Sequence, residues 1–180
     1  MVTSTTAGRY HGLPQWWRGR RARLLNLVSG NCWTRGGSVL QQVGDLLSDK
    51  GTEIFSIAPG ATVAEAVDLM VERGVGSLLV MQEGALCGIV TERDYARKVA
   101  VDGVSTESIC VADIMTADVL TTGVEHNIDE CMMLMTEKRI RHLPVVDGER
   151  VLGIISIGDL MKAIISDNQR AVGALDRPAD

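Results

Sequence analysis

Aromatic rings are scarce in this chain. Only six of its 180 residues are Phe, Tyr or Trp, and beyond Trp33 just two remain, Phe55 and Tyr95. With 46% hydrophobic residues the chain can still bury a core, and that core must be aliphatic. Its four cysteines (Cys32, Cys87, Cys110, Cys131) form no C-x-x-C pair and stand at no metal-ligand spacing from a histidine. Three of them fall inside apolar runs, as buried thiols in a reducing compartment do. Histidine is limited to His11, His126 and His142. The sequence shows no P-loop, no G-x-G-x-x-G, no H-E-x-x-H and no usable Ser/His/Asp order, so no enzyme class is indicated. No apolar run approaches the roughly 20 residues that cross a bilayer, and no secretory core is visible. A soluble, cytoplasmic protein is expected.

Acidic residues are absent from the first 44 positions, as is lysine, whereas six arginines are present (Arg9, Arg18, Arg20, Arg21, Arg23, Arg35). From Asp45 onward, twelve basic residues face all 23 acidic ones, a net of −11. An acidic body with a basic arm argues against nucleic acid as the ligand of the body.

What is present is a duplication. "GIVTERD" at 88–94 returns as "GIISIGD" at 153–159, and the halves align without a gap from Thr62–Asp94 to Asn127–Asp159. Each half opens with a capping box, Thr62-x-x-Glu65 and Asn127-x-x-Glu130. A helical apolar stripe follows, Val63, Ala66, Val67 and Met70 in one half and Ile128, Cys131, Met132 and Met135 in the other. Two strands then flank a short turn: 77–81 and 86–90 around Gly84, 142–146 and 151–155 around Asp147-Gly148. A second helix is predicted to start near Thr91 and near Ser156. Upstream, "VGDLL" (43–47) matches "VADIM" (111–115) at an offset of 68, so the first half carries three extra residues near Lys50.

A strand–helix–strand–strand–helix unit of this size is too small to bury its sheet alone. Two in tandem predict an α/β (α+β) fold, two βαββα repeats packed sheet to sheet about a pseudo-twofold axis with clefts between them. The expected organisation is a basic, disordered arm (1–38), repeat one (39–104), repeat two (105–168) and a flexible tail (169–180). Helix faces carrying Met70 and Met135 are expected to be left for a second copy, giving a homodimer.

Thr91-x-x-Asp94 and Ser156-x-x-Asp159 also satisfy the capping-box pattern. Capping alone, however, does not require Gly88 and Gly153 three residues earlier, twice.

The motifs "GIVTERD", "RIRHLPVVD" and "GIISIGD", with the internal duplication, resemble the cystathionine-β-synthase (CBS) domain. The tandem resembles a CBS pair, or Bateman module, over roughly residues 39–168. The resemblance implies a non-catalytic regulatory module. It would bind an adenosine compound (AMP, ADP, ATP, NAD(H) or S-adenosylmethionine), dimerise, and pass ligand state to an unidentified partner protein. It implies that Asp94 and Asp159 accept from a ribose diol, that Thr91 and Ser156 meet ribose or phosphate at a helix N-terminus, and that Gly88 and Gly153 leave room for close approach of ligand or backbone. Adenine would lie against aliphatic walls and backbone at Phe55, Ile57 and Leu120, and at the strand starts Val75, Gly76, Ser77 and Ile140. By family geometry, Val75 and Gly76 would serve the Asp159 cleft, Ile140 and Arg141 the Asp94 cleft.

The clefts differ in charge. Arg141 and His142 offer positive charge near Asp159, with Arg139 a further candidate; the alternative for Arg139 and Arg141 is a solvated face, and for His142 a partly buried strand histidine. Arg93 stands within the Asp94 motif where repeat two has Gly158. Lys50 is another candidate cation of uncertain placement.

The arm, "RYHGLPQWWRGRRARLL", reads as a transit peptide to an organelle, as a membrane-surface or partner-binding segment with Trp16 and Trp17 at an interface, or as sequence upstream of the true start. An alternative function follows from it, an adaptor whose arm contacts a membrane or nucleic acid while the pair is a dimerisation scaffold.

Overall fold

The computed structural model describes residues 25–26, 41–100, 103 and 105–175. In chain order the elements are β1 (Leu25–Asn26), α1 (Val43–Lys50), β2 (Ser56–Ile57), α2 (Val63–Arg73), β3 (Ser77–Gln82), β4 (Ala85–Thr91) and α3 (Glu92–Tyr95). A π-helical turn (Ala96–Ala100) follows, then α4 (Val111–Ile114), β5 (Leu120–Thr121), α5 (Ile128–Lys138), β6 (His142–Asp147), β7 (Arg150–Ser156) and α6 (Ile157–Leu175). The fold is α+β. The two repeats are legible in it, helix, hairpin and helix falling where the periodicity places them.

The chain forms two compact units that do not follow the repeat boundaries. One comprises Phe55–Val119, and the other joins the segment ending at Ile54 to the chain from Leu120 onward. The helix upstream of each repeat therefore belongs to the unit built on the other repeat. In the first unit, α4 supplies Val111, Ala112 and Ile114 to a core with Val63, Ala66 and Met70 of α2, Leu78 and Val80 of β3, and Cys87 and Val90 of β4. In the second, α1 supplies Val43, Leu46 and Leu47 to a core with Ile128, Cys131 and Met135 of α5, Leu143 and Val145 of β6, Ile155 of β7 and Leu160 of α6. Both cores are aliphatic, as the shortage of rings requires.

Met70 and Met135 lie inside these cores, at 4% and 1% exposure, which corrects the expectation that their helix faces await a second copy. The reason is helical geometry. Val63, Ala66 and Met70 share one face, and that face meets the sheet of its own unit. Among the described residues, the large apolar side chains that are exposed include neighbours of the stripe, Val71 on α2 and Met133 on α5, together with Val124 and with Met161 and Ile165 on α6.

The two hairpins have the same register. Ser77 pairs with Thr91 and Val80 with Gly88, as His142 pairs with Ser156 and Val145 with Gly153, and each carries a bulge just beyond its glycine pair. Positive φ at both Glu83 and Gly84 gives the first hairpin a two-residue turn matched to strand twist. The second turns on Gly148-Glu149, because Asp147 still pairs with Arg150.

The glycines of the repeated motif are explained by protein rather than by open space. A Cβ on Gly88 would lie 2.5 Å from Met115 Sδ and 3.1 Å from the Thr116 carbonyl oxygen, and one on Gly153 would lie 2.8 Å from Leu47 Cδ2. The segment ending α4, and α1 itself, press on the strands at these positions.

Two further differences from expectation concern the ends. Leu25 and Asn26 pair in parallel with Leu120 and Thr121, so the arm is not wholly without structure. A two-residue strand has no periodicity to announce it. At the other end α6 continues through Leu175, into the segment read as a tail. The remainder of the arm, with Trp16, Trp17 and Cys32, lies outside the described residues. Among the described residues no helix is long and apolar enough to cross a membrane.

Candidate functional site

Each repeated motif sits where the second hairpin strand turns into a helix. In the first unit, Thr91 is the N-cap of α3, in extended conformation. Asp94 Oδ2 accepts from the Thr91 backbone N–H at 3.0 Å and from its hydroxyl at 2.8 Å, and the Asp94 N–H donates back to Thr91 Oγ1 at 3.3 Å. In the second unit, Asp159 Oδ2 accepts from the Ser156 N–H and hydroxyl, both at 2.7 Å, and the Asp159 N–H donates to Ser156 Oγ at 3.2 Å. The capping reading is therefore correct at both places. It has a chemical consequence. The hydroxyl protons of Thr91 and Ser156 are committed to the carboxylates, so toward a ligand these hydroxyls present an acceptor lone pair. One oxygen of each carboxylate, Oδ1, accepts no hydrogen bond among the described residues. That is the atom able to receive a hydroxyl proton from outside.

The strand starts close the same corners. The first N–H of α3, on Glu92, donates to the Gly76 carbonyl at 3.2 Å, and that of α6, on Ile157, to the Arg141 carbonyl at 2.9 Å. Gly76, Ser77 and Thr91 are thus joined in one unit, and Arg141, His142 and Ser156 in the other. Ser77 is buried, whereas Arg93, Arg139, Arg141 and Gly158 are exposed. Val75, Phe55 and Ile57 pack against the core of their own unit, as Ile140 and Leu120 do in theirs. The Phe55 ring is covered on one face by the Arg73 guanidinium, 5.6 Å from its centroid, a cation–π contact that leaves less of the ring for a base.

The units differ most in counter-charge. Lys50, in the last turn of α1, places Nζ 2.6 Å from Asp159 Oδ2 and 3.0 Å from the Ile154 carbonyl oxygen. Its placement, open in the sequence, is thereby given. Burial pushes the Asp159 carboxyl up, but the hydrogen bonds from Lys50 and Ser156 and the Lys50 charge outweigh it and hold the group below its ordinary value. Asp94 has no such lysine. Among the described residues its Oδ2 accepts from Thr91 alone, and Lys98 donates to the Asp113 carbonyl at 3.2 Å. Instead, the first unit has an acid that pattern reading passed over. The Glu92 carboxylate lies over Gly76, 3.1 Å from where a Cβ would stand. The signal was the repeat itself, which has Ile157 at the equivalent position.

No group of three or more His, Cys, Asp or Glu side chains able to hold a metal occurs among the described residues. The three described thiols are ill suited to reaction. Burial pushes Cys87 up to about 11 against a smaller opposing backbone hydrogen bond, and burial likewise raises Cys131 and Cys110.

Comparison with known proteins supports the same architecture. The CBS domain model matches twice, at residues 43–101 and 111–166. The mitochondrial CBS domain-containing protein CBSX3 of Arabidopsis thaliana is 41% identical over 120 residues, 64% of this chain, and the match spans 58% of the plant protein. A solved CBS-domain protein from Burkholderia ambifaria is 46% identical with a TM-score of 0.68, covering 70% of this chain and 95% of its own. The CBS pair of MJ0100, solved with 5′-methylthioadenosine and S-adenosyl-L-methionine, is 25% identical with a TM-score of 0.63, covering 71% and 98%. The matched segments contain both hairpins and both aspartate motifs, and the chain belongs to the CBS-domain family, with two CBS domains in tandem.

Proposed function

We propose that this CBS pair is a non-catalytic sensor that binds an adenosine-containing ligand at its aspartate motifs and relays that state to a partner protein. The observation that carries the reading is the Asp159 corner. A carboxylate with one oxygen fixed by its cap and one without a partner among the described residues can accept from two adjacent hydroxyls, as a ribose 2′,3′-diol offers. The helix α6 begins beside it, and its N-terminal end favours negative charge. Arg141 and His142 stand at the adjoining strand start. The ligands in the MJ0100 structure are both adenosine compounds, which supports the class. AMP, ADP, ATP and NAD(H) are the leading candidates here because of the cations at Asp159. At the other motif we assign Thr91, Asp94 and Arg93 to ribose and phosphate.

The reading is tested by thermal melting of protein freed of carried-over ligand, against AMP, ADP, ATP, NAD, NADH and S-adenosylmethionine. A ligand at about 100 times its dissociation constant stabilises by roughly 2.7 kcal/mol, a rise of several degrees. No rise with any of the six would remove the sensor reading.

We also propose a homodimer. Val71 is 77% exposed and Met133 64%, and apolar side chains so placed on helices are suited to cover by another copy. Light scattering at micromolar concentration should return twice the chain mass, and a strict monomer contradicts the proposal.

A further inference from the structure

The two motifs agree in capping, register and hairpin, and yet only one of them is met by a lysine. The cause is helix length. α1 runs eight residues where α4 runs four, and the added turn carries Lys50 to Asp159. An ammonium has three N–H donors. The Asp159 carboxylate and the Ile154 carbonyl take two, and among the described residues the third has no acceptor. The Lys50 side chain is 36% exposed and that of Asp159 17%, so a solute can reach the ion pair from the lysine side.

These facts impose a condition on any ligand that uses Asp159. A ribose diol donating to Oδ1 draws on the same carboxylate charge that Lys50 meets at Oδ2. A neutral nucleoside weakens the ion pair and returns nothing to the ammonium. A nucleotide brings its own anion, to which the flexible lysine stem can turn while the diol takes the carboxylate. Charge-assisted hydrogen bonds are roughly twice as strong as neutral ones, so the exchange favours the phosphate-bearing ligand. Resting on the nucleotide reading above, we propose that Lys50 is the residue by which the Asp159 motif selects adenosine phosphates over adenosine. At the Asp94 motif, where Glu92 stands nearby and no lysine meets the carboxylate, this selection is missing.

The test is calorimetry of AMP and of adenosine on the full chain, freed of carried-over nucleotide, for the wild type, Lys50→Met and Lys50→Gln. Lys50→Met is expected to weaken AMP by about tenfold or more while leaving adenosine unchanged or tighter. The AMP-to-adenosine affinity ratio then collapses. Lys50→Gln keeps a donor for Asp159 and Ile154 without the charge, and should show the same collapse even if Lys50→Met folds poorly. Lys50→Arg should restore much of the ratio. A parallel loss of both ligands in Lys50→Gln would make Lys50 a prop for Asp159 and overturn the proposal, as would an unchanged ratio. If the wild type binds neither ligand, the nucleotide reading itself fails and this inference with it. Binding in the wild type with a ratio indifferent to Lys50 sinks the inference alone.

Discussion

Valine in place of Gly88 is expected to destabilise the protein by about 3 kcal/mol, the upper end for forcing extra carbons into a packed core. The first carbon alone would overlap Met115 Sδ and crowd the Thr116 carbonyl. Met115 could rotate, but Thr116 cannot retreat easily. Its carbonyl accepts from the Ile89 N–H at 3.0 Å and its N–H donates to the Ile89 carbonyl at 2.9 Å, so α4 is bolted to β4 beside the glycine. The same substitution at Gly153 meets only the far end of the Leu47 side chain, which has rotamers to spare, and should cost about 1–2 kcal/mol. In melting experiments followed by circular dichroism, roughly 6–12 °C should be lost for Gly88→Val and clearly less for Gly153→Val. Equal losses would mean that the backbone at Thr116 yields as readily as a leucine methyl.

The second large effect concerns binding. Asp159→Ala is expected to remove the tighter AMP site, weakening it by at least about tenfold, or 1.4 kcal/mol. Asp94→Ala should affect a weaker site or none. Both substitutions remove an N3 carboxylate from a capping box, and Asp159→Ala also leaves Lys50 without its carboxylate partner, so melting of the unliganded proteins measures the stability loss of each separately from binding. What differs is the charge around the carboxylate. Asp159 lies with Lys50 and near Arg141 and His142, Asp94 with Arg93 and Glu92. Calorimetry at fixed ionic strength decides the matter, since screening weakens exposed charges. Equal losses of AMP affinity from the two variants would show that this asymmetry has no bearing on binding.

The parts legible in the sequence were those written in local pattern. The capping residues Thr62, Thr91 and Ser156, the stripes through Met70 and Met135 and the short apolar strands around Gly84 and Gly148 each specify their element without reference to distant chain. The motif aspartates were legible because they recur at a constant offset. Contacts set by remote segments were not. Gly88 reads equally as room for a ligand or for protein, and only the approach of Met115 and Thr116 settles which fills it locally. Lys50 sits in an insertion, so the repeat supplies no counterpart from which to infer its place 109 positions away from its partner. The outward-facing apolar positions were misjudged for a related reason. Sequence identifies a stripe, but whether that stripe faces its own sheet or open solvent depends on where the sheet lies.

The exchange of upstream helices between repeats also bears on how such a chain can be inherited and divided. Residues 39–104 expressed alone would carry α1 without the β6–β7 hairpin it covers, and would lack α4, leaving Gly88 with nothing against it. The complementary fragment would have the reverse defect. A cut in the connecting segment therefore separates two incomplete halves instead of releasing two small domains, and each half would expose the groove its missing helix fills. Gene fusion or shuffling can move this module only as a pair. A single repeat cannot be swapped for a relative's unless the helix that precedes the other repeat changes with it.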